Sequence, residues 1–537
     1  MTEWRDGALL KCWRDGLFSD RMLRFLASML GTVTRKVAVN GGQSESFNTS
    51  VGLAQGAVLS PLLYAIFIND LAKELTNGGF GVVAWGRRVP ILLYADDIVL
   101  LAPSASELQK MLDAVSKFAA KWQFRLNTKD GKSNVVVSPH SKKNLEMARE
   151  AHFHLADGEL TVSMQYKYLG VESGKTGKGC WNAFLSRVTK AALGKVNQLV
   201  YAATAGNRPL RIDTAVHIFD TWVRPSLEYA SGLWGAMLSS AGVNTLEGIQ
   251  SEFGKRLLKL GGSKVAHAYV TAELGLWPVA LRAKQACLLL FGSLCSLPRS
   301  RLAAHVFRNS CNDVDKGRGK FSWCKIARGQ IIGHNFDTEW SRRKVAADWS
   351  NTVHEICSSQ LWSSVQAAVR QKSTLLLFAD LKPSVGVEPW LKHGVQHPGA
   401  QVKLRLRSGC APLMLRVGPR NGIPEPMRVC PFCDDRQLES EEHVVSSCSL
   451  YSDLRERCMA RLRSIAEPAA VGALPVWLRQ PSDTDLVDAC LGSKCWELPA
   501  QVAPAAEQCV QNYLRLLWAR RSKLWARVCR DGDEWRL

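Results

Sequence analysis

Two adjacent carboxylates, Asp96 and Asp97, stand between short apolar, β-prone runs at 91–94 and 98–101. This pattern predicts a β-hairpin with both carboxylates at its tip. Neighbouring negative charges on an apolar hairpin are costly without a counter-charge, and a divalent cation supplies one. Mg²⁺ prefers one or two carboxylates plus substrate phosphates, and a pair of such ions can activate a hydroxyl. Considered alone, the two aspartates fit a solvated turn equally well, since Asp is common in turns.

A second set of potential metal ligands follows much later in the chain. Cys430, Cys433, His443 and Cys448 have the spacing C-x2-C-x9-H-x4-C. Three thiolates and one imidazole suit tetrahedral Zn²⁺, so the spacing predicts a zinc module. The alternative is a chance grouping, because the chain contains 16 cysteines.

Four arginines close to this cluster have two possible roles. Their side chains could bind the phosphates of RNA or DNA, or they could form an ordinary solvated face. The four are Arg405, Arg407, Arg416 and Arg420.

The acidic pair needs elements that hold it in place. A Gly-rich turn at 52–58 leads into a mostly buried helix predicted over 59–75, and such a turn lets the backbone approach a nucleotide closely. Apolar periodicity predicts the further elements in the same way. These are a helix at 106–123, strands at 133–138 and 160–171, a mainly helical region at 178–300, a basic irregular stretch at 301–345, a helical stretch from 346 and a basic closing helix at 513–525.

Two of these segments together resemble the reverse transcriptases of non-LTR retrotransposons. The turn and helix resemble the QG…SP motif, through Gln55, Gly56 and Ser60, although Ala54 replaces the usual Pro. LLYADDIVLL at 92–101 closely resembles the YADD motif of the same elements. Later segments continue the resemblance in the same order. They are Lys132 for the next palm motif, YKYLG at 166–170 for the primer grip, 222–229 and 246–250 for the thumb helices, and the CCHC cluster.

The resemblance implies a fold class and a set of domains. The expected fold is α+β, with a partial right-hand polymerase palm, a helical thumb and a mostly helical C-terminal region that holds a small CCHC zinc module. The expected boundaries are listed in chain order. They are the palm at 1–175, thumb and post-thumb at 176–300, a basic linker or helical region at 301–399, the zinc module at 400–460 and a helical tail at 461–537.

The resemblance also implies roles for individual residues and partners. Asp96 and Asp97 would be catalytic and bind Mg²⁺ in a two-metal site, and the Cys/His cluster would bind Zn²⁺. The partners would be an RNA template, a DNA primer or target, and dNTPs. Other site residues are implied by motif position. Gln55, Gly56, Ser60, Tyr94 and Lys132 would bind substrate, while Tyr168, Leu169 and Gly170 would form the primer grip.

The family's metal site needs a third carboxylate, on a strand that precedes the first helix. WRDG at 4–7 resembles the segment that follows that strand, so the missing Asp is expected upstream of Met1. The expectation is therefore an N-terminally truncated reverse transcriptase with little or no polymerisation. The alternative is a non-catalytic, nucleic-acid-binding remnant of such an element.

Composition is consistent with a nucleic-acid partner. The 69 Lys and Arg residues exceed the 48 Asp and Glu residues, giving a net charge of +21 and a pI near 9.4. A surplus of this size favours a polyanion, although dispersed basic charge is the alternative. The sequence has no run of 18 apolar residues and no signal-peptide pattern. It therefore predicts a nuclear or cytoplasmic protein with reduced thiols, and argues against membrane and secreted proteins.

Overall fold

The computed structural model shows a mixed α/β chain that divides into two compact units, Met1–Cys180 and Trp181–Leu537. It describes most, but not all, of the sequence. The described residues are 11–30, 33–49, 56–129, 132–137, 142–173, 181–205, 209–262, 264–318, 322–331, 349–382, 384–392, 396–470 and 473–528.

The first unit combines helices with short strands. Its helices are α1 Asp20–Leu30, α2 Ser60–Asn77, α3 Ala105–Lys121 and α4 Lys142–Glu150. Its strands are β1 Val33–Arg35, β2 Ala38–Val39, β3 Gly42–Gln43, β4 Phe47–Thr49, β5 Val82–Ala84, β6 Arg87–Val89, β7 Ile91–Tyr94, β8 Asp97–Leu100, β9 Asn134–Val136, β10 Phe153–Leu155, β11 Gly158–Ser163, β12 Tyr166–Tyr168 and β13 Val171–Ser173.

Most of these strands pair as antiparallel hairpins. β5 pairs with β6, β7 with β8, and β12 with β13, while β1 pairs with β4 around the small β2–β3 hairpin. The exception is β11, which pairs antiparallel with β10 and parallel with β9. The strand predicted over 160–171 is thus two strands, β11 and β12, separated by residues 164–165.

The core of the first unit lies between α2, α3 and the sheet residues. Phe67 of α2 contacts the rings of Phe118, Trp122 and Phe124, with ring centroids 5.5–6.2 Å apart. Helix α3 begins cleanly because the Ser104 hydroxyl accepts a hydrogen bond from the Glu107 amide at 3.2 Å. The predicted helices at 59–75 and 106–123 are confirmed, with ends shifted by one or two residues.

The second unit is built from helices. They are α5 Asn182–Thr204, α6 Ile212–Ile218, α7 Arg224–Glu228, α8 Ser231–Trp234, α9 Ser240–Leu257, α10 His267–Leu274, α11 Val279–Ser296, α12 Leu302–Asp315, α13 Trp323–Ile331, α14 Trp349–Arg370, α15 Leu376–Leu381, α16 Pro389–Lys392, α17 Pro398–Arg407, α18 Met414–Val417, α19 Ser452–Ala466, α20 Val476–Arg479, α21 Asp483–Leu491 and α22 Ala503–Val528. A π-helical turn, Phe219–Val223, connects α6 to α7.

One sequence expectation for this unit is only partly correct. The irregular pattern from 301 suggested a linker or surface, but α12 and α13 occupy much of this stretch, in line with the helical alternative, because Phe307, Cys311 and Cys324 bury an apolar face in a common core. Residues 332–348 lie outside the described part of the chain.

Helix α11 is the one described helix that is long and apolar enough, by length and composition, to cross a membrane. About two fifths of it, 39%, is buried inside the fold. Several of its buried residues, among them Cys287, Leu288 and Phe291, belong to the same core as α12 and α13.

Ion pairs in the interior of the second unit join helices that are distant in sequence. The Lys403 ammonium of α17 lies 3.0 Å from a carboxylate oxygen of Glu507 in α22, with both side chains buried. Arg407 of α17 binds Glu273 of α10 through two hydrogen bonds of 3.0 and 2.8 Å. Nearby, Lys382 lies 2.8 Å from the Glu388 carboxylate. The interior of this unit therefore depends on charge pairing as well as apolar packing.

Gly399 allows α17 to approach α22 closely. A Cβ atom at this position would lie only 1.7 Å from the Gln511 main-chain oxygen. We expect Gly399→Ala to destabilise the second unit by at least about 1–3 kcal/mol, because two main chains would have to separate. The measurement is the chemical denaturation midpoint of the full chain.

The matched control is Gly248→Ala in α9. Nothing lies within 4 Å of a Cβ atom there, and the residue is exposed. This change should stabilise the chain by roughly 0.5–1 kcal/mol, because Ala has the higher helix propensity. Equal midpoints for the two variants would contradict the close-packing argument.

Candidate active site and cysteine-histidine cluster

The predicted acidic hairpin is present, and its base is anchored in the core. Tyr94 pairs with Asp97, so Ala95 and Asp96 form the two-residue turn between β7 and β8. Ala95 adopts a left-handed backbone conformation, with φ of 48°, as tight hairpin turns require. The alternate residues Ile91, Leu93, Ile98 and Leu100 pack against the core of the first unit. Asp96 and Asp97 are exposed at the tip.

The charges of the acidic tip affect the pKa values of three tyrosines. Burial, and then the charge of Asp96, raise the pKa of the Tyr64 phenol, which lies one helical turn after Ser60 on α2. Burial, and then the charge of Asp97, raise the pKa values of Tyr166 and Tyr168 on β12. The start of α2 and the β12–β13 hairpin therefore both lie within electrostatic range of the acidic tip.

Tyr166 also joins this hairpin to the turn that contains Lys132. Its hydroxyl donates a hydrogen bond of 2.8 Å to the Lys132 carbonyl oxygen. The Lys132 side chain itself is exposed. On the hairpin, Leu169 and Gly170 have φ values of 47° and 77° and form a two-residue turn closed by Tyr168 and Val171.

Most of the predicted substrate residues can now be placed. Gly56 is exposed with φ of 86°, Ser60 begins α2, and Tyr94 is exposed beside the tip. Gln55 lies outside the described residues. The structure thus brings the start of α2, the YADD tip, the Lys132 turn and the 168–170 turn to one region of the first unit. Among the described residues, no third His, Cys, Asp or Glu side chain joins Asp96 and Asp97 as a metal-ligand group.

The predicted Cys/His residues do come together. The ligand atoms of Cys430, Cys433, His443 and Cys448 all lie within 4.8 Å of one another, and this group could hold a metal ion. The Cys433 sulfur and the His443 Nε2 atom are 3.4 Å apart. Tetrahedral zinc with Zn–S bonds of about 2.3 Å requires sulfur atoms roughly 3.8 Å apart, so the group has suitable dimensions.

Short local elements create this arrangement. An isolated antiparallel bridge joins Val429 to Leu438, and the Cys430 amide donates to the Gln437 carbonyl oxygen at 2.7 Å. The π-helical turn His443–Ser447 then returns the chain, so that Cys448 follows directly. The Gln437 side-chain oxygen lies 2.9 Å from His443 Nδ1 and accepts a hydrogen bond from the Nδ1–H group, so the unprotonated Nε2 faces the thiols.

Helix α22 supports the cluster from outside. The Arg521 guanidinium binds both oxygens of Glu439, at 2.9 and 3.1 Å, and lies 5.4 Å from the ring centroid of Phe432. The Tyr513 hydroxyl donates to the Val445 carbonyl oxygen at 2.7 Å. The closing basic helix thus docks its apolar stripe, and Arg521 with it, on the fold. Its contacts with 432–445 were not predicted, because spacing alone does not show which helix covers a loop.

Two of the four arginines proposed for phosphate binding are used inside the protein. Arg407 is buried against Glu273, and the Arg416 guanidinium lies 2.7 Å from the buried carboxylate of Glu441. The phosphate-binding interpretation is therefore wrong for these two. Arg405 and Arg420 are exposed and keep both possibilities open.

Comparison with known proteins identifies the first unit. A family model described as reverse transcriptase (RNA-dependent DNA polymerase) matches residues 14–173. This chain carries a reverse transcriptase domain. The match contains the acidic tip, the Lys132 turn and the β12–β13 hairpin.

The relatives of this reverse transcriptase domain are proteins of mobile elements. The chain is 29% identical over 273 residues to the RNA-directed DNA polymerase from mobile element jockey of Drosophila funebris. The aligned part covers 48% of this chain and 27% of that protein. It is 26% identical over 259 residues to the retrovirus-related Pol polyprotein from type-1 retrotransposable element R2 of Bradysia coprophila. The aligned part covers 47% of this chain and 27% of that protein. The chain spans about a quarter of the length of these relatives. Both support the predicted non-LTR retrotransposon type.

Proposed function

We propose that the reverse transcriptase domain of this chain contributes to RNA-directed DNA synthesis at the acidic tip. The observation that carries this proposal is the position of Asp96 and Asp97. They are exposed on a core-anchored hairpin, with Tyr64 on one neighbouring element and Tyr166 on another. An exposed carboxylate pair with other elements close by could hold metal ions that bind the phosphates of a substrate.

The residues around the tip have distinct proposed roles. Asp96 and Asp97 would hold Mg²⁺, which would supply Lewis acidity at the primer 3′-hydroxyl and the triphosphate. The exposed ammonium of Lys132 would offset the triphosphate charge, and Tyr94 would contact the substrate. Gln55, Gly56 and Ser60 would bring main chain close to the nucleotide or template. Tyr168, Leu169 and Gly170 would position the primer end.

The wider architecture is part of the same proposal. We assign a right-hand palm to the first unit and a thumb to the helices of 176–300, while the five-part division of the chain stays a prediction. The partners would be an RNA template, a DNA primer or target, and dNTPs. The net charge of +21 supports a polyanionic partner of this kind.

One observation also favours a second candidate function. A two-metal site needs more carboxylate ligands than one hairpin tip supplies, and the described residues contain no third ligand beside Asp96 and Asp97. Without one, the chain would bind nucleic acid and catalyse poorly or not at all. Binding depends on many phosphate contacts and would survive this loss.

Primer extension on an RNA template with Mg²⁺ tests both candidates. We expect the chain to bind the primer–template in a strongly salt-dependent manner and to extend it weakly. Asp97→Ala should remove the extension and leave binding unchanged. Asp380→Ala, which removes an exposed carboxylate in the second unit, is the matched control. If the wild-type chain and both variants bind the primer–template tightly but none extends it, the result would favour the binding candidate. Binding that does not depend on salt would contradict both candidate functions.

We further propose that the Cys/His cluster binds one Zn²⁺ and forms a small CCHC module within residues 400–460. The donor set supports this, because three thiolates and one imidazole are typical ligands of structural zinc. Cys430 and Cys448 are buried, and Gln437 orients His443 as partners of metal ligands commonly do.

The role of Gln437 can be measured through zinc affinity. We expect Gln437→Ala to weaken Zn²⁺ binding by about 10–100-fold, because the imidazole loses the hydrogen bond that fixes its tautomer and orientation. Competition with a chromogenic chelator measures this affinity. Gln480→Ala, an exposed glutamine elsewhere in the second unit, should leave it unchanged. An unchanged affinity in the Gln437 variant would show that this hydrogen bond does not orient the ligand.

A further inference from the structure

Two thiols outside the Cys/His cluster face each other across a helix pair. Cys458 of α19 and Cys509 of α22 are 51 residues apart in sequence, but their Sγ atoms are 4.0 Å apart. The Cys509 sulfur also lies 3.8 Å from the Cys458 carbonyl oxygen. We propose that these cysteines are a dithiol site which a hydroperoxide converts reversibly to a disulfide that links α19 to α22.

The two thiols differ in access and acidity. Cys458 is buried, whereas Cys509 is half-buried and therefore the more accessible of the two. A hydrogen bond from Cys458 lowers the pKa of Cys509 against the opposing effect of burial, and the Arg461 charge helps. The same hydrogen bond and burial raise the pKa of Cys458. Cys509 is thus the thiol that meets the oxidant first, because it is the more accessible of the two.

The chemistry balances as a two-electron oxidation by hydrogen peroxide. Once Cys509 has ionised, its thiolate attacks one peroxide oxygen, the O–O bond breaks, and a sulfenic acid forms on Cys509. The leaving hydroxide takes up the proton that Cys509 released and becomes the first water. The Cys458 sulfur then attacks the Cys509 sulfur, the S–S bond forms, and hydroxide leaves and takes the Cys458 proton as a second water. The two thiols lose two electrons, and the peroxide gains them.

The geometry favours this pair over the other nearby thiols. A disulfide bond is about 2.05 Å long, so the Cys458 and Cys509 sulfur atoms must approach each other by roughly 2 Å. Cys490 and Cys495 are also close to Cys458, since the charges of their thiolates would affect its pKa. Both are buried, however, and the Cys495 thiol donates to the Ala489 carbonyl oxygen at 3.6 Å. Cys509 is the thiol that combines exposure with direct contact.

The link would fix the helix that supports the Cys/His cluster. Helix α22 contacts that cluster through Tyr513 and Arg521, and α19 begins a few residues after Cys448. A disulfide across 51 residues would restrict the unfolded chain. We therefore expect the thermal midpoint of the second unit to rise by about 5 °C on oxidation and to fall back on reduction.

Peptide mapping of the peroxide-treated full chain tests the site. The zinc-loaded protein is treated with one equivalent of hydrogen peroxide, alkylated and digested without reduction. We expect a linked pair of peptides containing Cys458 and Cys509, lighter by two hydrogen atoms and lost after reduction. Trypsin leaves Cys495 and Cys509 in one peptide, so fragment spectra must assign the linked residue.

Variants separate this site from general thiol oxidation. Cys509→Ala should abolish the link and the rise in thermal midpoint, while Cys495→Ala and Cys410→Ala should keep both. Because Cys509 is half-buried, its alanine variant is expected to fold. Alkylation of Cys458 and Cys509 as separate thiols in the oxidised wild-type protein would overturn the proposal. So would over-oxidised Cys509 without any linked peptide.

Discussion

Removing the metal from the Cys/His cluster is expected to unfold residues 429–448 while α19 and α22 remain folded. Apart from one isolated bridge and a π-helical turn, this segment contains little regular structure. A metal bound by four side chains would therefore join the two ends of this segment, in addition to its contacts with α22. Structural zinc contributes an apparent binding free energy of about 10–16 kcal/mol in zinc-finger peptides, and this free energy is coupled to folding. The two helices also pack through Leu462, Val510 and Leu514, in the same core that includes Val444 and Val445 of this segment.

Hydrogen exchange after chelation measures this local unfolding. The wild-type chain should contain about one Zn²⁺, and chelation should remove amide protection from 429–448 far more than from α19. Cys433→Ser should reproduce the unprotected state without a chelator. Cys410→Ser, which removes a half-buried thiol outside the cluster, should retain zinc and protection. Full protection after complete loss of zinc would show that the metal does not hold this segment.

The second large effect is expected at the buried ion pair of Arg407 and Glu273. We expect Glu273→Ala to reduce the free energy of unfolding of the second unit by about 3–5 kcal/mol, because a buried guanidinium would lose its carboxylate. Both side chains are fully buried, and the nearest other carboxylate oxygen, on Glu388, is 3.7 Å from Arg407. The rings of Phe378 and Trp390 flank the guanidinium at 5.0 and 5.6 Å and offer no charge of their own.

Chemical denaturation with two comparison variants isolates the buried charge. Asp380→Ala breaks an exposed pair with Arg370 and should cost less than about 1 kcal/mol. Replacing Glu273 and Arg407 together by Leu and Met should recover much of the loss, because no uncompensated charge remains. If Glu273→Ala were as mild as Asp380→Ala, the assigned burial of the pair would be wrong.

Local sequence signals predicted the acidic hairpin and the Cys/His cluster well. The apolar runs around Asp96 and Asp97 specify two strands, and Ala95 and Asp96 form the turn between them. The spacing of Cys430, Cys433, His443 and Cys448 is likewise a local pattern, and the structure brings all four together. In both cases the residues that determine the geometry are close to each other in sequence.

Contacts between distant segments could not be predicted in this way. Arg407 looked suitable for a phosphate because its partner, Glu273, lies 134 residues away. Gln437 and Arg521 support the Cys/His cluster, but neither belongs to a recognisable spacing. The helices α12 and α13 were missed because basic residues obscured their apolar faces. A single sequence shows which side chains are charged, but it does not show which of them are neutralised inside the fold.

The pairing of Lys403 with Glu507 has a consequence for synthesis on the ribosome. These buried partners are 104 residues apart, so the interior around Lys403 lacks its counter-charge until residue 507 has left the ribosomal tunnel. Helix α17 also rests on α22 through Gly399. Contacts with such large sequence separation form slowly and late. The nascent chain should therefore expose the α17 face to chaperones for the whole time needed to translate the intervening segment.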